Sequence, residues 1–474
     1  MEAELITGLE TGTDMKLLHI SDLHIGKRVN EFSMVEDQKY ILDRIIEIAK
    51  QEQADGVMIA GDIYDKSVPS AEAVQIFDRF LTGFARLGIK VFAVSGNHDS
   101  AERIAFGAQL MKGRGVYLSP VYDGNIEKIT LSDEYGALNI YLLPFIKPAM
   151  VRHVLDREQK TAGSQFQSGR EQAEEGSQAG GGQEQAEEGG QLETGREQAE
   201  GDSQTGGGRE QAEEGGQLET GREQTEGDGC SGSSRKAWQE SNLPESYQEA
   251  VKLAVERMKV DGTKRNVLVA HQFVTGAGRC ESEEVVVGGL DNVDAEVFQA
   301  FDYVALGHIH SPQWVGRETV RYCGTPLKYS FSEAEQEKSV TVVELGEKGG
   351  VELRTIPLTP LHDMRKISGT YMEVTARSFY QDINREDYVQ VTLTDEEDIP
   401  DGLKKLRIIY PNLMRLVYDN HRTRQNRELG AVQDMEQKSE LELFGEFYAQ
   451  QNNQSMSAEQ TAFVRGLIEG IKVM

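Results

Sequence analysis

Five apolar runs in this chain stop in the same way, each at a cluster of aspartate, asparagine or histidine. KLLHI leads to Asp22 and His24, GVMIA to Asp62, and KVFAV to Asn97, His98 and Asp99; NVLVA leads to His271, and YVAL to His308 and His310. Continuous apolar runs of this length are strands buried on both faces. The helical spacing of Tyr40, Ile41, Ile45, Ile46, Ile48 and Ala49 alternates with the first runs, as does AEAVQIFDRFLTGFARLG, for which Gly88 is the expected C-cap. Alternating strands and helices pair their strands in parallel. An α/β sheet of that kind binds its ligand at the carboxyl ends of the strands, where the polar clusters fall. Gly61, Gly96 and Gly307 precede three of the clusters and are expected to permit sharp turns.

Asp22/His24 and His308/His310 are i, i+2 pairs, so on an extended backbone each pair projects to one side. Asp22, His24, Asp62, Asn97, His271, His308 and His310 make seven candidate metal ligands. Seven exceed the needs of one ion and suit two that share a carboxylate. Mixed Asp, Asn and His ligation fits a borderline divalent ion such as Mn²⁺ or Fe²⁺, whereas Mg²⁺ prefers oxygen alone. Two ions about 4 Å apart activate water and clamp phosphoryl oxygens, which is the chemistry of phosphoester hydrolysis. Taken singly these residues say little, since a Gly-Asp step is often only a turn and a lone histidine is often a core residue. Their order, each after an apolar run, carries the reading.

Composition narrows the setting. A net charge of −29 opposes a simple electrostatic grip on nucleic acid, although a cleft can differ in sign from the whole. The three cysteines, Cys230, Cys280 and Cys323, are far apart and suggest a reducing compartment rather than a disulfide framework. No apolar run is long enough to span a membrane. Residues 1–14 are acidic and read as an N-terminal extension before Met15. Between about 161 and 235 lie five 13-residue units beginning at Arg170, Gln183, Arg196, Arg209 and Arg222. They carry 17 acidic and 4 basic side chains but only two leucines, Leu192 and Leu218, so they are expected to be a disordered acidic insert. Order resumes with LPESYQEAVKLAVERMKV as a helix and RNVLVAHQFV as a strand. Near the C-terminus DYVQVTLTD, IPDGLKKLRIIYP and NLMRLVYDN read as strand, helix and strand. SELELFGEFYAQ and SAEQTAFVRGLIEGIKVM read as helices, the second with Ser457 and Gln460 as a capping box.

In this order D-x-H, GD, GNHD, H and GHxH resemble the calcineurin-like metallophosphoesterase superfamily. MKLLHISDLHIGK, GDIYDKSVPS, VSGNHDS, FDYVALGHIHSPQ, PLKYSFSE and PLHDMRKISG resemble, more narrowly, the SbcD family of nuclease subunits. The resemblance covers about 15–148 and 243–419, with a fainter echo beyond. It implies a layered α/β/β/α sandwich at 15–360 interrupted by the insert, a small α+β DNA-capping domain at 361–425, and a helical partner-binding segment at 436–474. It implies one ion held by Asp22, His24, Asp62 and His310, and a second by Asp62, Asn97, His271 and His308, with Mn²⁺ the expected metal. His98 would face the scissile phosphate as acid or charge stabiliser. Asp65 matches a position where related phosphatases keep an aspartate that orients this histidine, though the related eukaryotic and archaeal nucleases have a histidine there. Asp99 reads as a turn residue. Cys323 and Thr325 stand where serine is usual and are expected to leave the ligands untouched. The implied activity is a 3′–5′ exonuclease on duplex ends and an endonuclease on single strands or hairpins, in DNA repair and recombination. The implied partners are an SbcC-like, SMC-type ATPase and DNA, with a homodimer inside a heterotetramer, in the cytoplasm at the nucleoid. The rivals are a small-molecule phosphodiesterase or phosphatase of the same superfamily, and a scaffold that has lost catalysis.

Overall fold

The computed structural model describes residues 14–175, 243–283, 292–424, 441, 444–445, 448 and 456–472. The chain divides into two units, Met1–Val151 with Pro244–Met474, and Arg152–Leu243. In chain order the first unit begins with β1 (Met15–Ile20), a small hairpin of β2 (Arg28–Val29) and β3 (Phe32–Ser33), β4 (Gly56–Ala60), β5 (Lys90–Val94) and β6 (Val116–Leu118). Then follow β7 (Glu127–Asp133), β8 (Gly136–Leu143), β9 (Arg265–His271), β10 (Tyr303–Gly307), β11 (Gln313–Val315), β12 (Arg317–Tyr322), β13 (Ser339–Leu345) and β14 (Val351–Pro357).

These strands form two six-stranded sheets, in the orders β14-β13-β1-β4-β5-β6 and β11-β12-β10-β9-β8-β7. Each is parallel at its centre and antiparallel toward an edge. In the first, Ile20 stands opposite Ile59 and Ala60 opposite Val94; in the second, Gly307 stands opposite His271. The central strands of each sheet therefore finish in step. Strand alternation then builds the layers. Leu18, Ile20, Val57, Ile59, Val91 and Ala93 share a core with Ile41, Ile45, Phe77, Phe80 and Phe84 of the helices Val35–Gln51 and Ala71–Leu87. The opposite faces, with Leu17, Met58, Phe92 and Val94, meet Leu138, Ile140, Val267, Val269 and Tyr303 of the second sheet. The layered α/β sandwich is thus in place, and Gly88 caps its helix in the left-handed conformation at φ 74°.

Polar side chains also clip the two sheets together, at both ends of the strands. His19, fully buried, lies 2.8 Å through Nδ1 from the Tyr303 hydroxyl and 3.2 Å through Nε2 from the Leu306 carbonyl. Burial pulls its pKa down to about 3, so the ring is neutral, with Nε2–H donating to the carbonyl and Nδ1 accepting from Tyr303. At the other end of the strands the Arg265 guanidinium binds the Asp133 carboxylate and donates to the carbonyls of Gly136 (2.8 Å), Leu345 (3.2 Å) and Gly346 (3.1 Å).

The helix Pro148–Glu175 corrects one expectation. It runs past Thr161 into the first repeat, so the insert is not structureless from its start. Once a helix is nucleated each further residue adds a hydrogen bond, and Arg170–Glu175 (REQAEE) is rich in strong helix formers. The lack of an apolar face rules out a packed core there, not a local helix. The remaining repeats lie outside the described residues, as does most of 425–455. The helix Ala458–Lys472 is present, and Ser457 and Gln460 make the reciprocal bonds of a capping box at 2.9 and 3.2 Å.

Beyond Pro360 the strands β15 (Met364–Gly369), β16 (Tyr388–Leu393) and β17 (Leu413–Tyr418) form a separate parallel sheet. Ile367, Val389, Val391 and Leu393 pack there on Leu406 and Tyr410, which lie on and just after the helix Gly402–Ile409. Met364, Tyr388 and Met414 of this small sheet pack into the core of the larger body, and a buried carboxylate adds a polar tie between the two. Asp37, on the helix Val35–Gln51, accepts from the His362 backbone N–H (3.0 Å) and the Tyr388 hydroxyl (2.7 Å) and lies 3.1 Å from the His362 ring. Removing a buried acceptor leaves its donors unsatisfied at about 1–3 kcal/mol each. Asp37→Ala should therefore lower stability by about 3 kcal/mol in chemical denaturation and speed amide exchange in β15 and β16. Wild-type exchange in both strands would show that this tie does not hold the small sheet.

Candidate metal centre

Beyond their last residues, β1 and β4 stay zipped together as loops. The N–H of Asp22 donates to Gly61 (3.0 Å), that of His24 to Asp62 (2.9 Å) and that of Ile25 to Ile63 (2.9 Å). These loops hold side chains in unusual backbone states: φ is 52° at Asp22, 45° at His24, 47° at Asp62 and 103° at His308. Non-glycine residues at positive φ cost about 1–3 kcal/mol each and persist where surrounding structure holds them. Four of the seven candidate ligands sit in such positions. The glycines act differently from the expected sharp turns. Gly61 does take a positive φ of 84°, but a Cβ on Gly307 would lie 1.7 Å from the Ala60 carbonyl, and one on Gly96 2.1 Å from Asp62 Oδ1. Gly96 and Gly307 are needed for close approach, not for a turn.

The seven candidate ligands come together. His24 Nε2 lies 3.1 Å from His310 Nε2 and 3.7 Å from Asp62 Oδ2. On the other side of Asp62, the same Oδ2 lies 3.4 Å from His271 Nε2. Asn97 Oδ1 lies 2.9 Å from that nitrogen and 3.0 Å from His308 Nδ1. Donor atoms of Asp22, His24 and His310 fall within 4.8 Å of one another, as do those of Asp22, Asp62 and His271. Asp62 thus stands between two donor groups. Asp22 is fixed by Ser21 Oγ at 2.5 Å and by the His308 N–H at 3.0 Å. His271 Nδ1 is 2.9 Å from the Ala60 carbonyl, which turns its Nε2 toward Asp62.

Electrostatics favours a cation here. Burial drives the pKa of His308 down to about 3 and holds His24 and His310 well below the usual imidazole range, leaving neutral rings with lone pairs to offer. Burial also pushes the Asp22 carboxyl up to about 8. It opposes ionisation of Asp62 as well, but His271, His24 and His98 hold that carboxyl well below its usual range. Against the burial that would lower it, the carboxylates of Asp62 and Asp22 raise His271 to about 9. His24 Nδ1 and His308 Nε2 are buried with no hydrogen-bond partner among the described residues. The residues present fit two divalent ions.

His98 sits at the edge of this cluster, half-buried, with Nε2 3.9 Å from Asp62 Oδ2 and Nδ1 3.2 Å from the main-chain carbonyl of Asp65. The Asp65 carboxylate lies 2.8 Å from Lys27 Nζ and 3.8 Å from His24 Nδ1. The contact from Asp65 to His98 therefore runs through the peptide carbonyl, a role open to any residue at that position. Cys323 lies beside the site, its Sγ 3.2 Å from the Ser21 Oγ that holds Asp22. Thr325, expected to stay clear, donates its N–H to the His310 carbonyl at 3.2 Å. Gln38 was not visible as a site residue: its side chain donates to the carbonyls of His24 (2.7 Å) and Leu23 (3.3 Å) and accepts from the Gly26 N–H (2.9 Å). Its one sequence signal is polarity within the buried stripe of an amphipathic helix.

Residues 15–158 match the calcineurin-like phosphoesterase family, and residues 360–452 match the type 5 capsule protein repressor C-terminal domain. The chain is 25% identical over 464 residues to the SbcD subunit of nuclease SbcCD from Staphylococcus epidermidis, covering 96% of this chain and 99% of that protein. Among solved structures, a dimetal phosphatase from Danio rerio aligns with 73% of this chain and 100% of its own, at 10% identity and a TM-score of 0.32.

Asp99 proves to be a structural clamp. Its carboxylate accepts the N–H groups of Ile63 (3.0 Å), Tyr64 (2.9 Å) and Gly96 (2.9 Å), binding the loop after β4 to the loop after β5. Burial, with the charge of Asp62, pushes its carboxyl up to about 6. Asp99→Ala would strand three donors, so it should lower stability by at least about 3 kcal/mol, measured by chemical denaturation of the metal-free protein. Asp99→Asn keeps an acceptor oxygen and should lose less than half of that. Equal losses in the two variants would argue against the clamp.

Proposed function

Since the chain carries a calcineurin-like phosphoesterase domain and resembles the SbcD subunit of nuclease SbcCD, we propose that it is a metal-dependent DNA nuclease. It acts as a 3′–5′ exonuclease on duplex ends and as an endonuclease on single strands and hairpins. The observation that carries this reading is the convergence of six further donor residues around Asp62, at the joined ends of two sheets. Asp22, His24, Asp62 and His310 would hold one divalent ion and Asp62, Asn97, His271 and His308 the other, with Mn²⁺ the favoured metal. Bound ions supply an acidified water and a clamp on the phosphoryl oxygens. His98 keeps its Nδ1 proton on the Asp65 carbonyl and presents Nε2 to the centre. With Nε2 protonated as well, the imidazolium stabilises charge on the phosphoryl group or gives that Nε2 proton to the leaving oxygen, leaving the neutral Nδ1–H ring. His98→Ala should keep both ions and lose roughly 100-fold or more in turnover, whereas Asp62→Ala should lose metal and activity together. Elemental analysis beside release of nucleotides from linear duplex DNA separates the cases. Loss of metal from His98→Ala would make it a ligand, and hydrolysis of small phosphodiesters without cleavage of DNA would favour a small-molecule enzyme.

The assembly follows the same reading: two copies of this chain, two of an SbcC-like ATPase, and DNA at the small sheet of residues 361–425. Phe106 and Leu110, 81% and 86% exposed just after the His98 loop, suit a contact with a second copy. On the helix Ala458–Lys472, Phe463 and Leu467 lie one turn apart and are 68% and 53% exposed, the spacing of a helix laid in a partner's groove. Removing residues 436–474 should spare Mn²⁺-dependent cleavage of single strands and abolish ATP-stimulated cleavage with the ATPase. Co-purification of the shortened chain with the ATPase at wild-type yield would refute that role.

A further inference from the structure

Behind His310, on the side away from the other candidate ligands, lies a buried charged group that none of the chemistry above uses. Glu333 is fully buried and Lys338 nearly so, and Lys338 Nζ lies 2.6 Å from Glu333 Oε2. Ser282 Oγ stands 2.6 Å from Glu333 Oε1 and 2.7 Å from His310 Nδ1. Lys338 Nζ also donates to the His310 carbonyl at 2.9 Å, and the His310 N–H donates to Glu283 Oε1 at 2.6 Å. One residue is therefore gripped at its ring, its N–H and its carbonyl.

Proton counting gives this arrangement a direction. Glu333 accepts from Lys338, from Ser330 Oγ (2.8 Å) and from the Tyr329 N–H (3.3 Å), so it is a carboxylate and can only accept. The single hydroxyl proton of Ser282 must go to it. Ser282 Oγ then has only lone pairs for His310, whose Nδ1 must carry the ring's proton. A neutral imidazole has one such proton, so Nε2 is bare, and Nε2 is the atom that lies 3.1 Å from His24 Nε2. A buried ion pair is weak support for stability, because apolar side chains of similar volume often serve as well. Its worth here lies in orientation.

We propose that Glu333, acting through the Ser282 hydroxyl, with Lys338 as its counter-charge, is a positioning relay that fixes the His310 ring and its tautomer for metal binding. The inference rests on the dimetal reading, and its test separates the two. In the metal-free full-length protein labelled with ¹⁵N-histidine, long-range ¹H–¹⁵N spectra should show His310 as the Nδ1–H tautomer. Ser282→Ala should shift it toward Nε2–H, and Ser282→Thr, which keeps the hydroxyl, should restore it. In calorimetric titration with Mn²⁺, Ser282→Ala should weaken one of two sites by about 10–100-fold, the usual effect of losing a residue that orients a ligand. The other site should stay unchanged. An unaltered His310 tautomer in Ser282→Ala, or equal weakening of both sites, would overturn the relay and leave the metal centre standing. A tautomer shift in a protein that takes up no Mn²⁺ would uphold the relay and refute the dimetal reading.

Discussion

The N–H of His308 donates to the Asp22 carboxylate at 3.0 Å, and the rest of the centre depends on that bond. It joins the end of β1 in one sheet to the end of β10 in the other. It can form only because Gly307 lets the second sheet come down on the Ala60 carbonyl, where any side chain would collide. Once the two sheets meet there, His271 reaches the Ala60 carbonyl from β9, and His308 and His310 reach the loops that carry Asp22 and Asp62. The donor cluster is what the sheet junction leaves facing outward.

Bringing these groups together works against ordinary folding preferences. Four of the candidate ligand residues hold positive φ, and two carboxylates and several imidazoles are buried side by side. The surroundings offset this with hydrogen bonds rather than apolar contact: Ser21 on Asp22, Gln38 on the His24 carbonyl, and Asp99 on three N–H groups. Burial raises the pKa of Asp22, and the carboxylates of Asp62 and Asp22 outweigh burial to raise that of His271, so the ionisable groups of the cluster bear strongly on one another.

Much of this was legible in the chain. Apolar runs ending in Asp, Asn and His revealed the central strands and the parallel pairing, because burial on both faces leaves an unbroken run, and they named the candidate donors that the fold brings together. The edges were less legible. The hairpin of β7 and β8 was not singled out, and β15 was passed over as a motif, MRKISG, whose exposed positions dilute its apolar ones. Supporting side chains were hardest to find. Glu333 and Lys338 lie in PLKYSFSEAEQEKS, where charged residues read as an exposed loop, and only the fold turns them inward. Asp65 shows the same limit, since the atom that meets His98 is a peptide carbonyl, which no side-chain pattern encodes. For Gly96 and Gly307 the residue type was noticed but the reason was a neighbour distant in sequence, not the local turn.

The spread of the ligands along the chain has a kinetic consequence. Asp22 and His308 are 286 residues apart, and His24 and His310 likewise. Chains dominated by such distant pairings fold slowly, because loop entropy must be lost before the contacts repay it. Neither donor group can assemble until β9 and β10 have docked on the first sheet, and no contiguous fragment that stops short of residue 310 contains both. The centre is thus among the last features to form. Until β9 and β10 have docked, a newly made chain therefore holds neither complete group of candidate donors.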